Sequence, residues 1–261
     1  TQWSSSAASD VYKRQHVHLS TDEGHSWETI SPDLTRNDKS KLVSSGGPIT
    51  QDNTGVEYYA TIFAVDESPL QEGLIWVGSD DGLIHLTKDG GATWENVTPK
   101  KMPDWMMINS IDASSFDSGT AYIAGTRYKL GDFTPYLYVT DDYGKNWKLI
   151  TDGIKDEHFT RVLRSDKVNK NILYAGTETG MYISYDRGNS WNEFQKNLPI
   201  VPITDLTIKD NSLIVATQGR SIWMIDDLTV FHQLTPSTDQ IKLYKPKDSC
   251  LLYTSDAADD D

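Results

Sequence analysis

Cysteine is nearly absent from this chain: its 261 residues contain one, Cys250. One thiol next to the C-terminal end excludes an internal disulfide framework and a multi-cysteine metal site. Long apolar runs are missing too, since no stretch approaches the roughly 20 apolar residues that a membrane-spanning helix needs. Basic charge is in short supply, with 24 Lys and Arg against 38 Asp and Glu and a formal net charge of -14. That balance argues against nucleic acid and against insertion into or adhesion to anionic membranes. Helical periodicity is also lacking, because no segment sustains it over three turns. What remains is a series of short β-branched and aromatic runs separated by turn residues, which reads as all-β.

One pattern recurs four times: STDEGHSW at 20 to 27, TKDGGATW at 87 to 94, TDDYGKNW at 140 to 147 and SYDRGNSW at 184 to 191. The frame is Ser/Thr-x-Asp-x-Gly-x-Ser/Thr/Asn-Trp, and a frame repeated at intervals of tens of residues marks an array of like supersecondary units. Its chemistry suits a hairpin turn. The carboxylate of Asp22, Asp89, Asp142 or Asp186 accepts from backbone N–H groups that follow it. The glycine, Gly24, Gly91, Gly144 or Gly188, takes the positive φ that closes the loop. The tryptophan, Trp27, Trp94, Trp147 or Trp191, opens the returning strand and supplies an apolar plate. A carboxylate committed to a turn in this way is a poor general acid, so these residues are expected to be structural.

This frame resembles the Asp-box, or BNR repeat, of sialidases, xyloglucan hydrolases and sortilin-type receptors. Longer stretches such as SGGPITQDNTGVEYYATIFAVDESP and GSDDGLIHLTKDGGATWENVTP resemble bacterial sortilin N-terminal-like, BNR-repeat "glycosyl hydrolase" proteins. The resemblance extends over nearly all of residues 16 to 249. It implies a β-propeller of four-stranded antiparallel blades, with each box between the third and fourth strands, in an exported, periplasmic or secreted protein.

The two ends have a different look. Ser5 to Gln15, SSAASDVYKRQ, resembles a translated sequencing adapter, and Cys250 to Asp260, CLLYTSDAADD, resembles its reverse complement. Residues 1 to 15 and 250 to 261 are therefore expected to pack on nothing. Setting aside their five aspartates, Lys13 and Arg14 leaves a net charge of about -11.

Between the tails the runs divide into a half blade at 16–31, blades at about 60–97, 107–150 and 159–195, and a degenerate unit at 203–234 whose box has decayed to IDDLT. A segment at 241–249 reads as the start of a linker to a further domain. Propellers usually close with 4 to 8 blades, so an incomplete ring is expected, with exposed edges at 16 to 31 and near 221 to 234. The aspartate spacings of 67, 53 and 44 residues place insertions at 31 to 59 and 125 to 135. Long irregular connections are often functional.

Turns of a meander alternate between two faces. The face opposite the boxes is expected to collect Asp80, Asp81, Arg127, Tyr128, Lys129, Asp132, Glu178 and Arg220, with Glu57, Tyr58 and Tyr59 approaching from the long connection. Carboxylates, guanidinium groups and tyrosines at one mouth suit a polyhydroxylated ligand, although charged residues in turns often only cap the turn and face water. The expected partners are a glycan or peptide ligand and, from the same chain, missing propeller blades and a C-terminal domain. His16 and His18 share one strand face without a third ligand, and neither a metal nor a cofactor is expected. A glycoside hydrolase is the alternative, but no spacing identifies a carboxyl pair, and the Phe/Tyr-Arg-Ile-Pro segment of sialidases does not occur.

Overall fold

The computed structural model describes residues 2–4, 14–43, 59–234 and 243–245. Their strands form five antiparallel sheets. The first holds β1 (Gln2–Ser4), β2 (His18–Ser20) and β3 (Glu28–Thr29). The second holds β4 (Ile62–Glu67), β5 (Ile75–Ser79), β6 (Ile84–Thr87) and β7 (Glu95–Asn96). The third runs β8 (Met107–Ala113), β9 (Ala121–Arg127), β10 (Asp132–Thr140) and β11 (Lys148–Leu149). The fourth runs β12 (Thr160–Ser165), β13 (Leu173–Thr177), β14 (Met181–Ser184) and β15 (Asn192–Glu193). In the fifth, β16 (Ile203–Lys209), β17 (Ser212–Thr217) and β18 (Ile222–Ile225) are followed by one helical turn, α1 (Thr229–His232), in place of a fourth strand.

Each sheet is a propeller blade, and its neighbours decide its burial. The second strands β5 and β13 are buried at every position, as is β9 up to Thr126, because blades pack on both of their faces. Such strands read as continuous apolar runs rather than alternating ones. In β17 only Leu213 and Val215 are buried, since among the described residues no blade covers the other face. Apolar clusters fill each junction, with Trp76, Ile108 and Ile123 between the second and third blades and Tyr174, Ile203 and Leu213 between the fourth and fifth. A glycine in the second strand of the second, third and fourth blades permits this approach. A Cβ on Gly78 would sit 2.4 Å from Ile108 Cγ2, and one on Gly176 would sit 2.6 Å from Ile203 Cγ2. The fifth blade has Ala216 in the corresponding place.

The four boxes share one hydrogen-bond scheme. In the second blade, Asp89 Oδ1 accepts from the Thr93 N–H at 2.8 Å and its Oδ2 accepts from Thr93 Oγ1 at 2.6 Å. Thr87 Oγ1 donates to Asp89 Oδ1 at 2.7 Å and accepts from the Gly91 N–H at 2.9 Å. Asp22, Asp142 and Asp186 repeat these contacts with Ser26, Asn146 and Ser190. Two successive residues take left-handed backbone in each box, for example Tyr143 at φ 60 and Gly144 at φ 79. The second must be glycine for a further reason: a Cβ on Gly91 would lie 2.5 Å from the Ile30 carbonyl oxygen of the preceding blade.

The tryptophans fasten blade to blade. Trp94, Trp147 and Trp191 donate their indole N–H groups to the carbonyls of Ile30, Val97 and Ile150, each in the preceding blade, at 2.9, 2.7 and 2.6 Å. Trp27 meets no such blade among the described residues and turns back on its own Gly24 carbonyl at 3.2 Å. In the fifth blade, whose box lacks Gly and Trp, Phe231 of α1 packs edge-on against Phe194 instead, with ring centroids 5.4 Å apart. His232 bonds to the buried Asp166 at 3.0 Å and so pins α1 to the fourth blade.

The innermost strands β4, β8, β12 and β16 pack in succession around an axis. Among the described residues no comparable packing joins the fifth blade to the first, so the ring is open.

One expectation is corrected. Gln2, Trp3 and Ser4, part of the tail expected to pack on nothing, pair with Ser20, Leu19 and His18 of β2. The half blade leaves that edge of β2 unpaired, and an open strand edge accepts an extended segment within reach. Gln15 is also buried, and the Arg14 carbonyl accepts from the Ile62 N–H at 3.0 Å. Residues 5–13 and 250–261, and 44–58 of the long connection, lie outside the described residues. No helix among the described residues is long and apolar enough to cross a membrane.

Candidate functional site

The loops joining second to third strands and the connections between blades share the face opposite the boxes. A subset of their residues forms one continuous cluster between the third and fourth blades. Arg127, at the end of β9, bonds to Asp132 at the start of β10 at 2.6 Å, and Tyr136 Oη donates to the same Asp132 oxygen at 2.8 Å. A single 3-10 turn, Tyr128–Leu130, ends on Gly131 at φ 74, and it lifts Tyr128 over the blade boundary. There the Tyr128 ring stacks on Phe159, centroids 5.4 Å apart, and Phe133 is tilted against the same Phe159 ring at 5.9 Å. The Arg161 guanidinium lies 5.3 Å from the Phe159 ring and 5.8 Å from Tyr128, and its Nε donates to Glu178 at 2.6 Å.

Two ion pairs therefore flank an aromatic shelf. Phe159 is buried and supplies the floor, while Tyr128 and Phe133 are 37% and 47% exposed and present ring surface to solvent. Burial pushes the Asp132 carboxyl up, but hydrogen bonds from Thr134, Tyr136 and Arg127 together outweigh it and hold the group below the usual carboxylate range. Asp132 is thus an anion at neutral pH and an acceptor rather than an acid.

A second aromatic contact lies on the same face. Tyr59 meets Trp105 edge-on at 5.1 Å, with the Arg36 guanidinium 5.3 Å from the Trp105 ring. Trp105 itself takes left-handed backbone, φ 60, an unusual state for a bulky residue that the surrounding structure must enforce. Arg36 bonds to Asp104, and Arg127 Nε donates to the Asp104 carbonyl at 3.1 Å, so this contact continues into the first cluster.

Of the residues expected on this face, Arg127, Tyr128, Asp132 and Glu178 come together. Lys129 and Arg220 are exposed, and Arg220 stands on its own loop in the fifth blade, where its carbonyl receives the Trp223 indole N–H. Asp80 and Asp81 are corrected from surface to scaffold, being 6% and 1% exposed. Asp80 Oδ1 accepts from the Thr61 N–H at 2.8 Å, and Asp81 accepts from the Arg36 N–H at 2.8 Å and from Ser79 Oγ at 2.5 Å. Burial pushes the Asp80 carboxyl up to about 6. Glu57 and Tyr58 lie outside the described residues.

Phe159, Arg161 and Trp105 were missed by sequence reasoning. Arg161 sits in FTRVLRS, where a charged residue in an innermost strand is the only available signal. Among the described residues no group of three His, Cys, Asp or Glu side chains is placed to hold a metal ion. A groove of about 650 Å³ lies elsewhere, between the outer strands β7 and β11 and the box turn Gly144–Trp147.

A family profile described as Sortilin-Vps10 (sortilin, neurotensin receptor 3) matches residues 135–256. Among solved structures, an ancestral GH74 enzyme shares 18% identity over 78% of this chain and 25% of its own, with a TM-score of 0.57. The GH74 xyloglucanase from Xanthomonas campestris shares 16% identity over 82% of this chain and 34% of its own, with a TM-score of 0.59. This chain therefore spans a quarter to a third of the length of those two enzymes. No curated protein sequence matches significantly. The chain resembles the sortilin-type Asp-box propellers, and its fold is shared with the GH74 enzymes.

Proposed function

We propose that this propeller is a binding module of a larger exported protein, and that it captures a glycan, peptide or partner domain on the face opposite its boxes. The observation that carries this reading is the shelf of Tyr128 and Phe133 over Phe159, fixed between the Arg127–Asp132 and Arg161–Glu178 pairs. Exposed rings held rigidly beside polar groups lose little entropy on binding. The two partly buried carboxylates of the shelf are both engaged by guanidinium groups, an arrangement that favours recognition over acid–base work.

On the box face each box carboxylate is spent within its own turn. Likeness to the GH74 enzymes at this level of identity concerns fold, and fold does not fix function.

The test is retention of the protein on insoluble polysaccharides and on immobilised peptides, with reducing-sugar release followed in parallel. Retention without release, lost when Arg127→Ala and Tyr128→Ala are combined, supports a binding module. Sugar release that vanishes in Asp132→Asn or Glu178→Gln replaces it with a glycoside hydrolase.

A further inference from the structure

Every innermost strand in the second to fifth blades breaks register at the same step. The breaks fall between Ile62 and Ala64, Ile108 and Ser110, Thr160 and Val162, and Ile203 and Asp205. A β-bulge leaves one residue outside the ladder and re-aims its side chain, a device common beside binding sites. The residues left over are Phe63, Asn109, Arg161 and Thr204. All four line one cavity of about 300 Å³ on the propeller axis.

Their chemistry is complementary and unspent. Phe63 is 52% exposed although its strand neighbours Ile62 and Ala64 are buried. Asn109 Oδ1 is buried with no hydrogen-bond partner among the described residues. Turning the amide over only exchanges which atom is unsatisfied. Arg161 uses Nε on Glu178 and is held flat by Phe159 and Tyr128, which leaves Nη1 and Nη2 without a partner among the described residues. Thr204 adds an exposed hydroxyl.

We propose that these four bulge residues form an axial subsite for one neutral pyranose ring of a glycan. The proposal rests on the reading of the loop face as the ligand face, and it names the ligand class. A pyranose offers adjacent hydroxyls that accept from the Arg161 fork and donate to Asn109, and a C–H face that lies on Phe63. The cavity is at the small end of ligand pockets, with room for one ring.

Charge favours a neutral sugar over a uronic acid. Arg161 is balanced by Glu178, and Arg164, which also lines the cavity, is balanced by Asp205 and spent on the Leu206 and Ile111 carbonyls. An anion would enter a neutral pocket in a protein of net charge -14. The bulges also decide against a peptide, because they interrupt the inner strand edges on which an extended peptide would add as a strand.

Calorimetry and saturation-transfer NMR on the whole 261-residue chain test this, with cellotetraose, mannotetraose, xylotetraose, trigalacturonate and a blocked tetra-alanine peptide as probes. We expect a neutral oligosaccharide to bind, with Phe63→Ala and Asn109→Ala each weakening it roughly tenfold at unchanged melting. Arg161→Lys, which keeps the charge but loses the fork, should weaken it likewise. Binding that depends on Arg127 and Tyr128 but ignores Phe63 and Asn109 overturns the axial subsite and leaves the loop-face reading standing. Tighter binding of trigalacturonate or of the peptide overturns the ligand class. If no probe binds, the subsite is rejected.

Discussion

Trp191 Nε1 donates to the Ile150 carbonyl at 2.6 Å, across the boundary between the third and fourth blades. Trp27 makes its bond within its own box and is 42% exposed. The same box residue therefore has two different energetic roles. Trp191→Ala should cost about 3 to 5 kcal/mol through a cavity and an unpaired carbonyl, and Trp27→Ala less than about 1 kcal/mol. Denaturant titration of both variants checks this, and equal losses would refute the fastening role.

The second-strand glycines make a similar contrast. Gly176→Ala places a methyl 2.6 Å from Ile203 Cγ2 and 2.7 Å from Val162 Cγ1, and overpacking of this kind costs about 1 to 3 kcal/mol. Ala216→Val, in the corresponding place on the uncovered face of β17, should change stability by less than about 0.5 kcal/mol.

Stability should depend on pH in two windows. Burial pushes Asp66, which accepts from the Ala113 N–H at 2.7 Å, up to about 6, as it does Asp80. A carboxyl raised in the folded state favours folding when protonated, so that contribution is present below the unfolded value near 4 and is lost as pH rises through about 6. Asp89 behaves oppositely. Hydrogen bonds from Thr93 and Thr87 hold it at about 2, and its contribution disappears as pH falls from about 4 through that value. The melting temperature should therefore be higher at pH 5 than at pH 8, the difference should shrink in Asp66→Asn, and unfolding should set in below pH 4. A melting temperature that climbs steadily from pH 5 to 8 would contradict this.

The uncovered face of the fifth blade carries Ile214, Ile222 and Met224, the last two 71% and 58% exposed. Apolar sheet surface of this kind promotes association. Light scattering should give a mass that rises with concentration, and Ile222→Lys with Met224→Lys should return it to the monomer. A wild-type monomer at high concentration would show that the face is stable uncovered.

The boxes were legible in sequence because each is local: hydroxyl, carboxylate, glycine and tryptophan fall within eight residues. Their recurrence marked the blade order and the degenerate fifth unit whose box has decayed to IDDLT. The loop-face cluster was legible only in part. Arg127, Tyr128 and Asp132 lie within one insertion, whereas Phe159 and Arg161 join them through blade-to-blade packing that no local pattern encodes. Asp80 and Asp81 misled for a related reason: GSDDG reads as an exposed turn, but Thr61 and Arg36 arrive from a distant connection and bury both carboxylates. The pairing of Gln2–Ser4 with β2 depends on an open edge, which belongs to the assembled blade rather than to either segment.

The most direct test of the loop-face assignment is hydrogen exchange on the full chain with and without a polysaccharide or peptide that retains it. The account predicts ligand-dependent protection at 127 to 136 and 158 to 162, with the box turns at 87 to 94, 140 to 147 and 184 to 191 unchanged. Protection confined to the box turns, with the loop face unaffected, would contradict it.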